Sequence, residues 1–146
     1  MELGLYTDSV DKLTRTEAFD LAARIGATGI EIAMGGQSSA PHADIKALLN
    51  DSDERKRLVG ELEERGLRIA ALNCSAWPMH PVVGPAHVEL IKNTIRLAEI
   101  LDIDKIVTMS GCPGDGPGST TINWIWYPWP QDTVDLLERQ WEQAIP

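Results

Sequence analysis

Polar side chains that could contact a ligand stand in or just after the apolar segments of this chain. Glu31 lies between two isoleucines, and Asn73, Ser75 and His80 follow an apolar run that begins at Leu67. Tyr6 ends the first apolar run of the chain. A carboxylate, an amide, hydroxyl groups and an imidazole can together donate and accept hydrogen bonds, as a hydroxyl-rich ligand requires.

A long loop, residues 109–130, follows the last apolar run. It contains four of the twelve glycines, four of the nine prolines and three of the five tryptophans. A connection of this length is usually functional or disordered, and disordered segments are poor in aromatic residues. A phosphate-binding P-loop is rejected because no Gly-Lys-Ser/Thr follows the glycines and Asp115 would repel an anion. The loop therefore predicts a binding role, with Ser110 at its start.

Composition excludes some classes of partner. The net charge is −9, from 22 acidic and 13 basic residues, whereas a nucleic-acid surface needs clustered lysine and arginine. No apolar run approaches the roughly 20 residues of a membrane span, and the chain starts directly with a strand pattern rather than a signal peptide. We therefore expect no nucleic acid, no membrane and a cytoplasmic location. Cys74 and Cys112 are either two buried thiols, the commoner case, or a redox pair.

The apolar patterns alternate between strand and helix. Strands are predicted at residues 2–6, 29–33, 67–73 and 105–110, and helices at about 15–25, 54–65, 85–101 and from 132 or 133, with a less certain short helix at 42–49. Thr14 and Glu17 form a capping-box pattern, and helical spacing places Ile25 and Ile95 on buried faces. Strands joined by helical crossovers pair in parallel. A barrel is favoured over a dinucleotide-binding sheet because no G-x-G-x-x-G follows the first strand.

Three segments resemble the sugar phosphate isomerase/epimerase family, the xylose-isomerase-like TIM-barrel group. They are Gly-Ala-Thr-Gly-Ile-Glu-Ile at 26–32, Leu-Arg-Ile-Ala-Ala-Leu-Asn-Cys-Ser at 67–75 with Pro-Met-His-Pro at 78–81, and Val-Thr-Met-Ser-Gly-Cys-Pro-Gly-Asp at 107–115. The resemblance implies an α/β fold, a partial (β/α)8 TIM barrel of about four βα units. Residues 1–146 would be the amino-terminal half of such a domain.

The resemblance also implies a divalent metal ion (Mn, Mg, Zn or Co), held in the family by Glu, Asp, His and Glu of the last four strands. This chain has only the first four strands, so it is expected to contribute no metal ligand. Its first and fourth strands would be open edges, whose unpaired backbone groups invite self-association. The 146-residue chain alone is accordingly expected to be inactive.

The remaining expectations concern the residues that would contact a sugar or sugar phosphate. Glu31 would bind a hydroxyl group or, alternatively, fill a barrel layer by bonding to the next strand. Asn73 and Ser75 would instead cap their loop if they do not bind ligand, and His80 has a minor alternative as a metal ligand. His42 and His87 are expected at the surface. The full set of predicted substrate-binding residues is Tyr6, Glu31, Asn73, Ser75, His80, Ser110, Trp77, Trp124, Trp126 and Trp129, the tryptophans either walling the sugar ring or packing within the protein.

The resemblance implies proton transfer between adjacent carbons of a sugar-like substrate, in which paired carboxylates act as acid and base. Two other readings remain open, since a fold does not fix a reaction. One is a lyase or hydrolase of the same superfamily, and the other is a non-catalytic carbohydrate-binding fragment.

Overall fold

The computed structural model describes residues 2–109, 111, 118–119 and 131–145. Its four strands are β1 (Gly4–Tyr6), β2 (Gly29–Ala33), β3 (Arg68–Asn73) and β4 (Ile106–Val107). They form one sheet in the order β1-β2-β3-β4, and every neighbouring pair is parallel. The predicted α/β class with parallel strands is confirmed, and the sheet order is consistent with a partial TIM barrel.

Helices connect the strands as the alternating pattern predicts. A short 3₁₀ helix, Thr7–Val10, follows β1, and the α-helices are α1 (Arg15–Arg24), α2 (Ile45–Asn50), α3 (Ser52–Glu63), α4 (Gly84–Leu101) and α5 (Gln131–Ala144). The short helix at 42–49 exists, but it begins later, at Ile45. Among the helices in the described residues, none combines the length and the apolar character needed to cross a membrane.

Local signals set the ends of the first connecting helix. The hydroxyl of Thr14 accepts a bond from the Glu17 amide at 3.3 Å, and the Glu17 carboxylate accepts one from the Thr14 amide at 2.8 Å. This reciprocal pair is the predicted capping box. Gly26, just after the helix, has a φ of +80°, a left-handed conformation that glycine adopts without a side-chain clash. β2 can therefore start three residues later.

One apolar core lies between the sheet and the helices. Ile30, Ile32 and Leu72 contribute from the strands, and fully buried helical residues complete it: Ala18, Phe19, Ala22, Leu48, Leu58 and Leu97. Burying a side chain of this size is worth roughly 1.5–3 kcal/mol. These contacts fix the outer face of the sheet and leave the other face for polar side chains.

Two predicted core positions are wrong. Ile25 and Ile95 are 48% and 52% exposed. Ile25 occupies the C-cap of α1, beyond the last turn that packs on the sheet, and Phe19 fills the core instead. Around Ile95 the buried positions of α4 are Thr94, Leu97 and Ala98, and one residue of shift turns a helical side chain by about 100° away from that face.

The chain divides into two compact units. The first consists of residues 1–75 and 90–108 and contains the whole sheet and the apolar core. The second consists of residues 76–89 and 109–146, and its described part includes α5 and the segment that carries Trp77, His80 and His87.

Candidate functional site

The strand register brings polar residues together on the inner face of the sheet. Tyr6 pairs with Glu31, and Glu31 pairs with Ala71 across a register shift between Ile30 and Glu31. Side chains alternate along a strand, so Glu31 faces away from the core that holds Ile30 and Ile32. Asn73 lies two residues beyond Ala71 and shares that face. The register shift therefore places Asn73 beside Glu31.

Four predicted site residues form a continuous hydrogen-bonded chain, which we call the polar array: Tyr6, Glu31, Asn73 and Ser75. The side-chain amide of Asn73 donates to Glu31 Oε1 at 2.6 Å, and its oxygen accepts from the Ser75 hydroxyl at 2.8 Å. The Ser75 amide donates to the same Asn73 oxygen at 2.8 Å. The Tyr6 hydroxyl lies 3.4 Å from Ser75 Oγ. Both Asn73 and Glu31 are thereby fixed in orientation.

The direction of these bonds determines what the polar array can offer a ligand. The single hydroxyl hydrogen of Ser75 is directed to Asn73, so the Tyr6 hydroxyl must donate to Ser75. Glu31 Oε2 accepts no hydrogen bond from the part of the chain that the structure describes. Three groups can therefore bind the hydroxyl groups of a ligand. The lone pairs of Glu31 Oε2 and of the Tyr6 oxygen can accept hydrogen bonds, and the second N–H of the Asn73 amide can donate one.

A hydrogen bond between Glu31 and the next strand is also expected under the alternative in which this carboxylate only fills a layer of the barrel. Glu31 is nevertheless half-buried, not buried, and it borders an open concavity of about 460 Å³ on the same face of the sheet. The concavity extends from Glu31 toward the amino ends of the strands, where Gly4, Gly29, Arg68 and Lys105 line it. Space for a ligand therefore adjoins the carboxylate.

Backbone bonds brace the strand ends around the polar array. The Met34 amide donates to the Asn73 carbonyl at 2.7 Å, and the Gln37 amide donates to the Ser75 carbonyl at 3.0 Å. The fully buried Thr7 accepts a bond from the Ala33 amide at 3.0 Å through its hydroxyl. The loops after β1, β2 and β3 are thus tied to one another. No local pattern in the sequence indicates this role of Thr7, because its partner is 26 residues away.

Asp8 adds a second carboxylate close to the polar array. It follows β1 and accepts a short hydrogen bond from the Ser38 hydroxyl, which holds the loop after β2. Burial raises the pKa of Tyr6, the hydrogen bond with Ser75 opposes this rise, and the negative charges of Asp8 and Glu31 add to it. The phenol therefore stays protonated and serves as a hydrogen-bond donor, not as a base.

His80 and Trp77 belong to the second compact unit. His80 is 2% exposed, and its Nδ1 accepts bonds from the amides of Val82 and Val83 at 3.2 and 3.3 Å. A neutral imidazole that accepts through Nδ1 carries its proton on Nε2. The Trp77 amide donates to His87 Nδ1 at 2.8 Å, and the two rings lie 5.5 Å apart. These bonds order the turn before α4.

The expectation for the other two histidines needs correction. His42 is 3% exposed, and its Nε2 bonds the Leu13 carbonyl at 2.8 Å, so it is an interior residue that ties two loops together. His87 is half-buried against Trp77. Burial lowers the pKa of His87, and the proximity of His80 lowers it further. Sequence position near a loop or a helix start did not reveal either contact.

Some predicted residues cannot be placed. Ser110, Trp124, Trp126, Trp129 and Cys112 lie outside the described residues. Cys74 is a buried free thiol whose sulfur lies 3.6 Å from the Val107 carbonyl oxygen.

Over residues 2–109, 111, 118–119 and 131–145, no three His, Cys, Asp or Glu side chains converge in a way that could hold a metal ion. A metal site needs several converging ligands. Within these ranges the residues therefore do not fit the divalent ion that the family resemblance implies.

No family model matches this chain. The chain is 39% identical over 150 residues to the Uncharacterized protein YfiH of Bacillus subtilis strain 168. That alignment covers all of this chain and 48% of the relative, so the chain spans about half the relative's length.

The solved structure is a xylose isomerase domain-containing protein from Salmonella typhimurium LT2. The superposition covers 97% of this chain and 44% of that protein, with a TM-score of 0.48 and 15% sequence identity.

Proposed function

We propose that this chain supplies the substrate-binding side of a metal-dependent isomerase or epimerase that acts on a sugar or sugar-like molecule. The observation that supports the proposal is the polar array, which stands at the carboxyl ends of parallel strands, where α/β proteins usually bind ligands. It combines fixed acceptors and donors on one face, as vicinal hydroxyl groups require. The family resemblance of the segments around Glu31 and Asn73 points to the same chemistry.

In the proposed role each residue has a defined task. Glu31 Oε2 accepts a hydrogen bond from a substrate hydroxyl, while Asn73 holds the carboxylate at Oε1. The Tyr6 oxygen accepts from a neighbouring hydroxyl while its own hydrogen is directed to Ser75. Such fixed contacts hold two adjacent carbons in position for proton transfer. None of these tasks depends on a metal ion.

Loss of single hydroxyl groups tests the proposal. Binding of D-ribose, D-xylose and myo-inositol is measured by ligand-observed NMR for the wild type, Ser75→Ala and Tyr6→Phe. We expect binding about two- to ten-fold weaker in both variants, because a hydrogen bond contributes roughly 0.5–1.5 kcal/mol. Ser52→Ala, at the exposed start of α3, is the matched control and should bind as the wild type does.

Two outcomes contradict the proposal: no polyol binds, or binding is the same in all four proteins. The reaction is followed in parallel for D-ribose and D-xylose by deuterium uptake from D₂O at the carbon next to the carbonyl, with Mg²⁺ and with EDTA. The 146-residue chain alone is expected to bind without exchange. Metal-dependent exchange by this chain would overturn that expectation but would leave the binding role intact.

A further inference from the structure

Asp8 is held in the same way as Glu31. The Asn73 amide donates to Glu31 at Oε1, and the Ser38 hydroxyl donates to Asp8 at Oδ1. In the part of the chain that the structure describes, no donor bonds Asp8 Oδ2, and neither carboxylate forms a salt bridge. Each carboxylate therefore has one oxygen fixed by the protein and one that can accept a bond from a ligand.

The loop after β2 fixes the orientation of Asp8. The Ala40 amide donates to Ser38 Oγ at 3.0 Å, and the hydroxyl hydrogen of Ser38 is directed to Asp8. The same loop is attached to the end of β3, because the Gln37 amide donates to the Ser75 carbonyl at 3.0 Å. Asp8 itself is half-buried. A carboxylate that is positioned before the ligand arrives loses little freedom on binding.

Tyr6 is the neighbour of both carboxylates. It pairs with Glu31 across β1 and β2, and Asp8 follows it by two positions in the 3₁₀ helix that continues β1. Burial raises the pKa of the Tyr6 hydroxyl, and the nearby charges of Asp8 and Glu31 add to this rise. Three acceptors therefore adjoin one another at the carboxyl ends of β1 and β2, namely Glu31 Oε2, the Tyr6 oxygen and Asp8 Oδ2.

We infer that Asp8 is a specificity-determining residue that binds a third ligand hydroxyl through Oδ2, so that the site selects sugars with three hydroxyl groups on adjacent carbons. This inference rests on the proposed sugar-binding function and narrows its substrate class. Each hydroxyl group has one hydrogen to donate, so Glu31, Tyr6 and Asp8 accept from three successive hydroxyl groups. A sugar whose run of hydroxyl groups is interrupted satisfies only two of these acceptors.

D-ribose and 2-deoxy-D-ribose are a matched pair of ligands for the test. The ring forms of D-ribose carry at least three hydroxyl groups on adjacent carbons, whereas those of 2-deoxy-D-ribose carry at most two. The affinity of the 146-residue chain for each sugar is measured by ligand-observed NMR in a buffer with EDTA. We expect D-ribose to bind about three- to ten-fold more tightly, which is the effect of one hydrogen bond.

Substitution of Asp8 identifies the source of this preference. Asp8→Ala removes the third acceptor, so the preference for D-ribose should fall below about two-fold while the affinity for 2-deoxy-D-ribose is unchanged. Unchanged binding of 2-deoxy-D-ribose also shows that the variant is folded. Ser38→Ala removes the bond to the loop but retains the carboxylate, and it should keep most of the preference.

Asp11→Ala is the matched control for charge. Asp11 is exposed, pairs with Lys12 at 2.8 Å, and lies just after the same 3₁₀ helix. Its substitution removes the same negative charge and should leave the preference as in the wild type. A measurement without any substitution is the carboxyl carbon resonance of Asp8 in the isotope-labelled chain, which D-ribose should shift and 2-deoxy-D-ribose should not.

The possible failures are distinguishable. The inference is overturned if the wild type binds both sugars equally well, if Asp8→Ala retains the preference, or if saturating D-ribose leaves the Asp8 resonance unmoved. It is also overturned if Ser38→Ala or Asp11→Ala abolishes the preference, because loop attachment or net charge would then account for it. In these cases the sugar-binding function stands. If neither sugar binds to the wild type, the proposed function itself fails.

Discussion

Asn73 is the residue on which the polar array depends. It donates to the Glu31 carboxylate and accepts two bonds from Ser75, and it is 6% exposed. An amide side chain can donate to a carboxylate and accept from a hydroxyl group at the same time. Replacing the side-chain nitrogen of Asn73 with oxygen should therefore remove the bond to Glu31 without changing the size of the side chain.

We predict that Asn73→Asp lowers the free energy of unfolding by about 1–3 kcal/mol at neutral pH, because it removes a bond to a charged group and places two carboxylates together. Part of this loss should be recovered in acid, where one of the two carboxyl groups can bind a proton. Urea unfolding at pH 7 and pH 4 measures both effects.

Asn93→Asp is the control for Asn73→Asp. Asn93 lies on α4, and its side-chain oxygen, which aspartate retains, accepts a bond from Arg96 at 3.4 Å, so its substitution should change stability by no more than about 0.5 kcal/mol. Equal effects of the two substitutions would show that the hydrogen bonds of Asn73 do not hold the array together.

At the residue scale, the sequence identified several correct side chains but few of their contacts. Tyr6, Glu31, Asn73 and Ser75 were predicted because they stand at strand ends, and the structure joins them. Asp8, Ser38 and Thr7 were not predicted, since their partners are 26 to 30 residues away. Such contacts depend on which strands become neighbours, and this information is absent from local spacing.

At the element scale, the most predictable feature is the start of α1. Its capping box involves residues three apart, so the pattern can be recognised in the sequence and is confirmed in the structure. The register shift between Ile30 and Glu31 could not be predicted, because a β-bulge follows from how two strands fit together, and the paired residues Glu31 and Ala71 are 40 positions apart in the chain. The predicted helices are present, although the buried face of α4 is not the face that the apolar spacing in the sequence predicts.

The capping box gives a pH dependence with a defined sign. Hydrogen bonds from the Thr14 amide and hydroxyl hold the pKa of Glu17 below its ordinary value of 4.5. A lowered folded-state pKa contributes stability that is present above the unfolded value and is lost as the pH falls through the folded value. We expect the wild type to be more stable than Glu17→Gln at pH 7, with the difference lost as the pH falls below 4.5 and through the lowered folded-state pKa of Glu17.

Urea unfolding of the wild type and Glu17→Gln from pH 7 to pH 3 measures this difference. Glu99→Gln, exposed on α4, is the control for the change in net charge. A difference between the wild type and Glu17→Gln that stays constant over this range would contradict the capping role of the Glu17 carboxylate.

At the scale of the whole molecule, the sheet has two strands with a single neighbour each. Among the described strands these are β1 and β4, and Val107 on β4 is 40% exposed. Unpaired strand edges promote association between chains. A half-barrel arrangement was predicted from the strand count and the family resemblance, and self-association through its edges remains a prediction.

We predict that the sedimentation coefficient rises with protein concentration and that Val107→Lys reduces this rise, because a charge on an edge strand opposes pairing. Trp141→Lys is the comparison, since Trp141 is also an exposed apolar residue, 52% accessible, but lies on helix α5. A single monomeric species at all concentrations, with cooperative thermal unfolding, would contradict the prediction. An effect of Trp141→Lys alone would place the association on α5.

The central claim is that the polar array binds a polyol at the carboxyl ends of β1, β2 and β3. The most direct test is a titration of the isotope-labelled chain with D-ribose or myo-inositol, followed by the shifts of its assigned backbone amides. The account predicts that saturable shifts concentrate on residues 6–8, 31–38 and 73–75. The absence of saturable shifts, or shifts confined to the groove between α3 and α4 near Val59 and Ile100, would contradict it.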